Sequence, residues 1–396
     1  MKLENNFKRK IFSKKDSLKL NKYLIEIKEK INKKNNFYYN FNNKFLSEIN
    51  FKKFKKFKKF KSICIVGMGG SILGMKSIYS FLQDKIDKKI YFLDNLDLNK
   101  SKLLIKEKKL KSFLFIFISK SGGTLETLTN INYLGKAILK PSNTIIITEK
   151  KKNPLQEFAK KNRFTFVEHR DYIGGRYSVL SEVGLIPSFL LGLNLKELRK
   201  NITQFLMGKE KNKLINEALQ LSEYYNKKKT SSIIFLNYNS KLSDTIFWIQ
   251  QLISESLGKK GFGLLPVISE CPKDHHSLLQ LYLDGPRDKI FYIFSSKKNN
   301  KEKKIKNLFG KKLDYLNNKS MDRIITAQKE ALIKTLKNKN IPFRKIEINS
   351  FSESSLGNIF SYFIFETILL GKLTKVNPFD QPSVEQVKLL TKKILN

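Results

Sequence analysis

What this chain lacks narrows its chemistry first. It has two cysteines in 396 residues, Cys64 within an apolar run and Cys271 in a loop, too few for a disulfide framework, so a reducing compartment is expected. Three histidines occur, His169, His275 and His276. Cys271 with His275 or His276 makes half of a zinc site, and the other ligand pair is missing, so no metal is expected. No run approaches the roughly 18 consecutive apolar residues of a membrane span. The opening MKLENNFKRKIFSKK has no apolar core of the kind a signal peptide needs. A cytoplasmic protein without a membrane partner is expected. Acidic residues are scarce too, 35 against 77 Lys and Arg, giving a formal charge of +42. The lysines are spread over nearly every segment, among Asn, Ile and Phe, as a genome-composition bias would leave them. The excess therefore reads as solvated surface and not as a nucleic-acid footprint. It still favours the approach of an anionic ligand.

The 41% of hydrophobic residues, over this length, is enough for more than one core. Residues 1–60 read as a polar helical segment ending in FKKFKKFKKFK, where Phe51, Phe54, Phe57 and Phe60 recur every third residue. Such a stripe suits the helix's own core, or less commonly an anionic lipid surface. Strand-like runs then alternate with helical stretches, at 62–68, 89–95, 112–119, 143–149 and 163–169. Continuous apolar runs of this kind describe a parallel sheet buried on both faces. The pattern restarts at 231–238, 289–295 and 343–349, with a Gly/Pro-bearing loop over 258–276. The fold class is α/β, with two doubly wound parallel-sheet domains, the larger at 61–200 and a smaller one at 201–350. A C-terminal helical segment fills 351–396, where a long apolar helix is broken by VNPFDQP before a last helix.

Two glycine turns carry the chemistry. GMGGSILG, residues 67–74, follows the first strand and opens a helix. It fails the dinucleotide fingerprint, because Ile72 stands where the third glycine belongs, and it fails the P-loop, because no Gly-Lys-Ser/Thr follows. Nucleotide binding is disfavoured. Gly70 nevertheless lets backbone approach a ligand, with Ser71 as a hydroxyl donor. The third strand runs into SKSGGT, where Ser119, Ser121 and Thr124 offer hydroxyls, Lys120 offers charge and two glycines free the backbone to curl round an anion at a helix start. Turns at the carboxyl ends of parallel strands are where open α/β sheets bind ligands, and this one suits a phosphate.

Further along, apolar residues at 242, 246, 249, 253 and 257 mark one helix face. That leaves Gln251 and Glu255, four apart, together on another. Glu255 falls in the last turn before a capping Gly258, at the negative end of the helix dipole. Arg176 follows Gly174 and Gly175, in a turn that brings a guanidinium close to a flat anion.

Taken in order, GMGGSILG, SKSGGTLET, GGRYSVLSEVGLIP (174–187), QQLISESLGK (250–259), DHHS (274–277) and NPFDQPSVEQVK (377–388) resemble the glucose-6-phosphate isomerase family, which is built from sugar isomerase domains. The resemblance spans about residues 61–388. It implies reversible aldose–ketose isomerisation of glucose 6-phosphate and fructose 6-phosphate, without cofactor. Glu255 is then the base that moves a proton between C2 and C1, and Arg176 stabilises the enediolate. His276 is the acid/base of ring opening and reaches into a partner subunit's site, so a homodimer is implied. Lys388 assists ring opening, Gln381 binds the phosphate end, and Gly70, Ser71, Gly175 and Gln251 line the substrate beside the Ser119–Thr124 turn. His275 stands where the family commonly has glutamine. The alternatives are an isomerase of the same superfamily acting on another sugar phosphate, such as mannose 6-phosphate, and a sugar-phosphate sensor without catalysis.

Overall fold

A computed structural model describes residues 1–7, 14–106, 112–226, 229–297 and 303–396. The strands in chain order are β1 Lys2–Asn5, β2 Ser62–Val66, β3 Lys89–Leu93, β4 Leu114–Ile118, β5 Thr144–Thr148, β6 Thr165–Glu168, β7 Ser232–Asn237, β8 Leu265–Glu270, β9 Lys289–Ser296 and β10 Phe343–Ile348. The first sheet has the order β3-β2-β4-β5-β6, with every pair parallel. All five residues of β4, LFIFI, and of β5, TIIIT, are buried, as expected of strands covered by helices on both faces. The chain leaves β2 for β3 on one side and returns to β4 on the other. The loops after β2 and β4 therefore open side by side, at the switch point where such sheets hold ligands.

The second sheet has the order β1-β10-β9-β7-β8, parallel except for β1, which runs antiparallel to β10. Two of its strands escape the sequence pattern. The segment 258–276, expected to be loop, contains β8 (LPVISE), whose Pro266 is tolerated because the strand is an edge. The segment 1–60, expected to be helical, begins with β1, a four-residue, mainly polar strand held to β10 by Lys345 Nζ on Glu4 Oε2 at 2.7 Å. With β1 and β8 added, the second sheet has five strands, like the first. The phenylalanine stripe forms the 3-10 helix Phe51–Lys59. Its repeat of three is the period of that helix, and Phe54 and Phe57 are fully buried in the core.

The helix Leu73–Phe81, opened by the first glycine turn, packs along the helix Ser243–Leu257 of the second domain. Ser77 Oγ lies 2.7 Å from Thr245 Oγ1, and Lys76 pairs with Asp94 at 2.6 Å and Asp244 at 3.6 Å. This contact carries residues of the second domain onto the open edge of the first. The helix Glu353–Thr374 is long and apolar enough to cross a membrane, and 83% of its apolar window is buried within the protein. Being apolar all round, it fits a core position, with Trp248 and Phe360 rings 4.8 Å apart. The last helix, Glu385–Leu395, is the opposite case. It has no buried residue, and Val387, Leu389, Leu390, Ile394 and Leu395 are exposed.

Candidate active site

Four chain segments meet above the carboxyl edge of the first sheet. The first is the turn after β2. A Cβ on Gly67 would lie 3.0 Å from Ile118 O at the end of β4, and Gly69, at φ +53°, has Gln251 Nε2 2.7 Å from its own Cβ position. At Gly70 a Cβ would meet Gly175 C at 2.2 Å and Arg176 N at 2.4 Å. Only a bare backbone fits there, so Gly70 and Gly175 are in direct contact. Ser71 is buried beneath the same turn.

The second segment is the 3-10 turn Gly175–Leu180, which carries Arg176. The guanidinium is buried and almost every donor is taken. Nε donates to Ser256 Oγ at 2.8 Å, and Nη2 donates to the Pro378 carbonyl at 2.6 Å and the Asp380 carbonyl at 3.0 Å. Nη1 makes two long contacts, to Glu255 Oε2 and Gln381 Oε1, both 3.3 Å. The third segment is the end of helix Ser243–Leu257, where Gln251 Nε2 donates to Glu255 Oε1 at 2.8 Å. The i, i+4 spacing turns both side chains to the same side. The Glu255 side chain keeps 32% of its surface exposed while that of Arg176 keeps 2%, so the carboxylate opens to solvent over a buried cation. The fourth segment is the break before the last helix. Lys259 Nζ holds it by donating to Asn377 O at 2.5 Å and Asp380 Oδ1 at 2.7 Å, and the ammonium, through that hydrogen bond, keeps the Asp380 carboxyl below its usual range.

The SKSGGT turn adjoins this cluster through Gly67. Ser119 Oγ lies 2.8 Å from Thr124 Oγ1, and Gly122 N donates to Ser119 Oγ at 3.2 Å. Thr124 stands at the N-cap of helix Leu125–Leu134 and makes no side-chain cap bond, so first-turn N–H groups are left for an anion. Asn153 and Thr148 shape the turn from below. Gly122, at φ +68°, has Asn153 Oδ1 where a Cβ would be, and Thr148 Oγ1 donates to Lys120 O at 3.2 Å. Ser121 is exposed, its Oγ 3.4 Å from Gly123 N. Lys120 does not face the turn's hydroxyls. Its Nζ donates to Asp171 O at 2.6 Å and lies 3.7 Å from Glu149 Oε1, and burial pulls its pKa down. His169, two residues before Asp171, is almost wholly buried, and burial pushes it from 6.5 to about 4.

Of the residues expected at the site, Gly70, Ser71, Gly175, Arg176, Gln251, Glu255 and Gln381 converge, with Ser119 and Thr124 alongside. Ser121 sits exposed on the same turn and Lys120 is turned to Asp171 and Glu149, while His276 and Lys388 do not join the cluster within one chain. His276 is exposed at the end of the turn Lys273–His276, and no hydrogen bond or ion pair among the described residues ties it to the cluster. Lys388 lies on the exposed last helix, paired with Glu385 at 2.6 Å. Sequence reasoning passed over Ser256, Tyr177, Lys259 and Asn153. Ser256, next to Glu255, and Tyr177, next to Arg176, were marked only by adjacency, and nothing local ties any of the four to its partner.

Comparison with known proteins identifies the family. The family described as Phosphoglucose isomerase matches residues 25–396. The "Probable glucose-6-phosphate isomerase" of Methanococcus maripaludis is 32% identical over 84% of this chain and 78% of its own length. The "Glucose-6-phosphate isomerase" of Methanocaldococcus jannaschii is 30% identical over 87% of each. Among solved structures, a hypothetical protein from Thermus thermophilus superposes with a TM-score of 0.84 at 25% identity, covering 96% of this chain and 95% of that one.

Proposed function

The chain belongs to the phosphoglucose isomerase family, and we propose how its residues divide the work of the reaction, the reversible isomerisation of glucose 6-phosphate and fructose 6-phosphate that serves glycolysis and gluconeogenesis. The phosphate docks on the Ser119–Thr124 turn, taking hydroxyls of Ser119, Ser121 and Thr124 and the N–H groups of the following helix, with Lys120 supplying nearby charge. That anchoring spends binding energy remote from the reacting carbons to fix them beside the base. Glu255 takes the C2 proton and returns it at C1 through a cis-enediol. Arg176 Nη1 offsets the negative charge that develops. The observation that carries this reading is the 3.3 Å approach of a half-open carboxylate to a buried, otherwise committed guanidinium. A phosphate sensor has no use for such a pair.

The active unit is a cytoplasmic homodimer. Two features support it. The apolar side chains of helix Glu385–Leu395 are left uncovered by their own chain, and His276 stands exposed with no hydrogen bond or ion pair to Glu255 among the described residues. In the dimer His276 enters the neighbouring site as the ring-opening acid/base, with Lys388 assisting.

Glu255→Gln and His276→Gln test both parts. Each variant alone should lose roughly 10²- to 10⁴-fold in kcat, the usual worth of a positioned acid or base, while fructose 6-phosphate still binds. Refolding the two inactive variants together pairs an intact Glu255 with an intact His276 in one site of each mixed dimer, restoring about a quarter of wild-type activity. Full turnover by Glu255→Gln sinks the base, and no recovery on mixing sinks the shared site.

A further inference from the structure

We propose that Ser256 and Tyr177 are positioning residues for Arg176, which they hold so that Nη1 alone faces the reacting carbons. The inference rests on the isomerase reading above and concerns two side chains that touch no substrate. Tyr177 Oη lies 2.9 Å from Ser256 Oγ and 2.8 Å from the Pro378 carbonyl. The carbonyl cannot donate, so the tyrosine O–H must point at it. The hydrogen between Ser256 and Tyr177 is then supplied by the serine, whose oxygen still accepts from Arg176 Nε. Arg176 Nη2 closes the circuit on the same Pro378 oxygen. The result is a ring in which each donor has one direction: Arg176 Nε to Ser256, Ser256 to Tyr177, Tyr177 to Pro378 O, and Arg176 Nη2 to Pro378 O.

Ser256, Tyr177 and Arg176 are all buried, so no bond of the ring is open to exchange with bulk water, and the ring fixes the guanidinium plane at two of its three nitrogens. Nη1 is left with the two long contacts to Glu255 and Gln381, either of which a developing oxyanion can displace as it takes the N–H. The ring also ties three remote pieces of chain together: the glycine turn, the end of the base-bearing helix and the C-terminal break. Orienting groups of this kind act on the transition state more than on the bound ground state, because the substrate's main anchor, its phosphate, lies elsewhere.

The test uses the full-length enzyme and the variants Tyr177→Phe, Ser256→Ala and Ser256→Thr, each checked for a native melting transition. Tyr177→Phe removes one O–H and no volume to speak of. Its kcat should fall roughly 10- to 100-fold, the cost of misplacing a charge-stabilising donor, with KM for fructose 6-phosphate within about twofold. Ser256→Thr, which keeps the hydroxyl, should recover most of what Ser256→Ala loses. The Tyr177→Phe/Ser256→Ala double variant should be little worse than the poorer single, since both open the same ring. Two calorimetric probes separate this idea from the isomerase reading. Hexitol 6-phosphate should bind wild type and Tyr177→Phe alike, and a sugar-acid phosphate whose planar carboxylate mimics the enediolate should bind wild type more tightly than the variant. Unchanged kcat in folded Tyr177→Phe, a rise in KM alone, or multiplying losses in the double variant overturns the proposal. A wild type that fails to turn over fructose 6-phosphate overturns the isomerase reading instead.

Discussion

Gly70→Ala is the smallest change that should dismantle the site. The added Cβ would sit 2.2 Å from Gly175 C, 2.4 Å from Gly175 O and 2.4 Å from Arg176 N. All three are backbone atoms and cannot swing aside as a side chain would. Ordinary contact needs about 3.4 Å, so the Gly174–Arg176 turn must retreat by roughly 1 Å, or the Gly67–Ser71 turn must lift by as much. Either movement drags Arg176 relative to Glu255. A misplacement of about 1 Å near reacting groups costs on the order of 100-fold, and overpacking of this kind costs about 1–3 kcal/mol of stability. The expectation is a folded enzyme with kcat down by about two orders of magnitude and a melting point a few degrees lower. Turnover of fructose 6-phosphate is followed well below the transition, so that unfolded protein does not enter the rate. A Gly70→Ala enzyme with wild-type kcat would mean that the backbone contact does not locate Arg176, and that the guanidinium is placed by something other than the two glycine turns.

Two further expectations concern buried ionisable groups. His169 is pushed down by burial from 6.5 to about 4, so the unfolded chain binds its proton more readily than the folded one. Its contribution is complete above pH 6.5 and is lost as pH falls toward 4, a loss of roughly 3 kcal/mol in total. His169→Asn, which keeps a donor for the Arg170 carbonyl, should flatten that part of the stability profile between pH 7 and pH 4.5, and parallel profiles for the two proteins would refute the assignment. In the second domain Arg344 is completely buried, with Nη2 2.7 Å from Glu366 Oε1 and Nε 3.5 Å from Glu217 Oε2. Glu366→Ala leaves a buried cation without its nearest anionic partner and should cost about 3–5 kcal/mol in chemical denaturation. Replacing Arg344 and Glu366 together with apolar residues should cost much less, and a loss below about 1 kcal/mol for the single variant would contradict the pairing.

Features that depend on neighbours along the chain were legible before any fold was known. Short β-branched and aromatic apolar runs such as LFIFI and TIIIT, bounded by turn residues, read as strands buried on both faces, so all five strands of the first sheet could be read, as could the two glycine turns that follow β2 and β4. The spacing of Gln251 and Glu255 put both on one side of a helix, and the phenylalanine stripe marked a helix facing its own core; the structure makes it a 3-10 helix that buries Phe54 and Phe57. Where local pattern was weak the reading failed. β1 is four residues, three of them polar, paired with Arg344–Glu347 near the other end of the chain, and β8 carries a proline that only its edge position excuses. Which distant groups meet was settled by the packing of the whole molecule. Arg176 finds acceptors on Ser256, Pro378 and Asp380, and Gly70 finds the backbone of Gly175, through contacts that no periodicity encodes. Secondary structure follows from short-range sterics and apolar spacing, whereas a catalytic constellation depends on directional hydrogen bonds between segments that only the packing of two domains brings within about 3 Å.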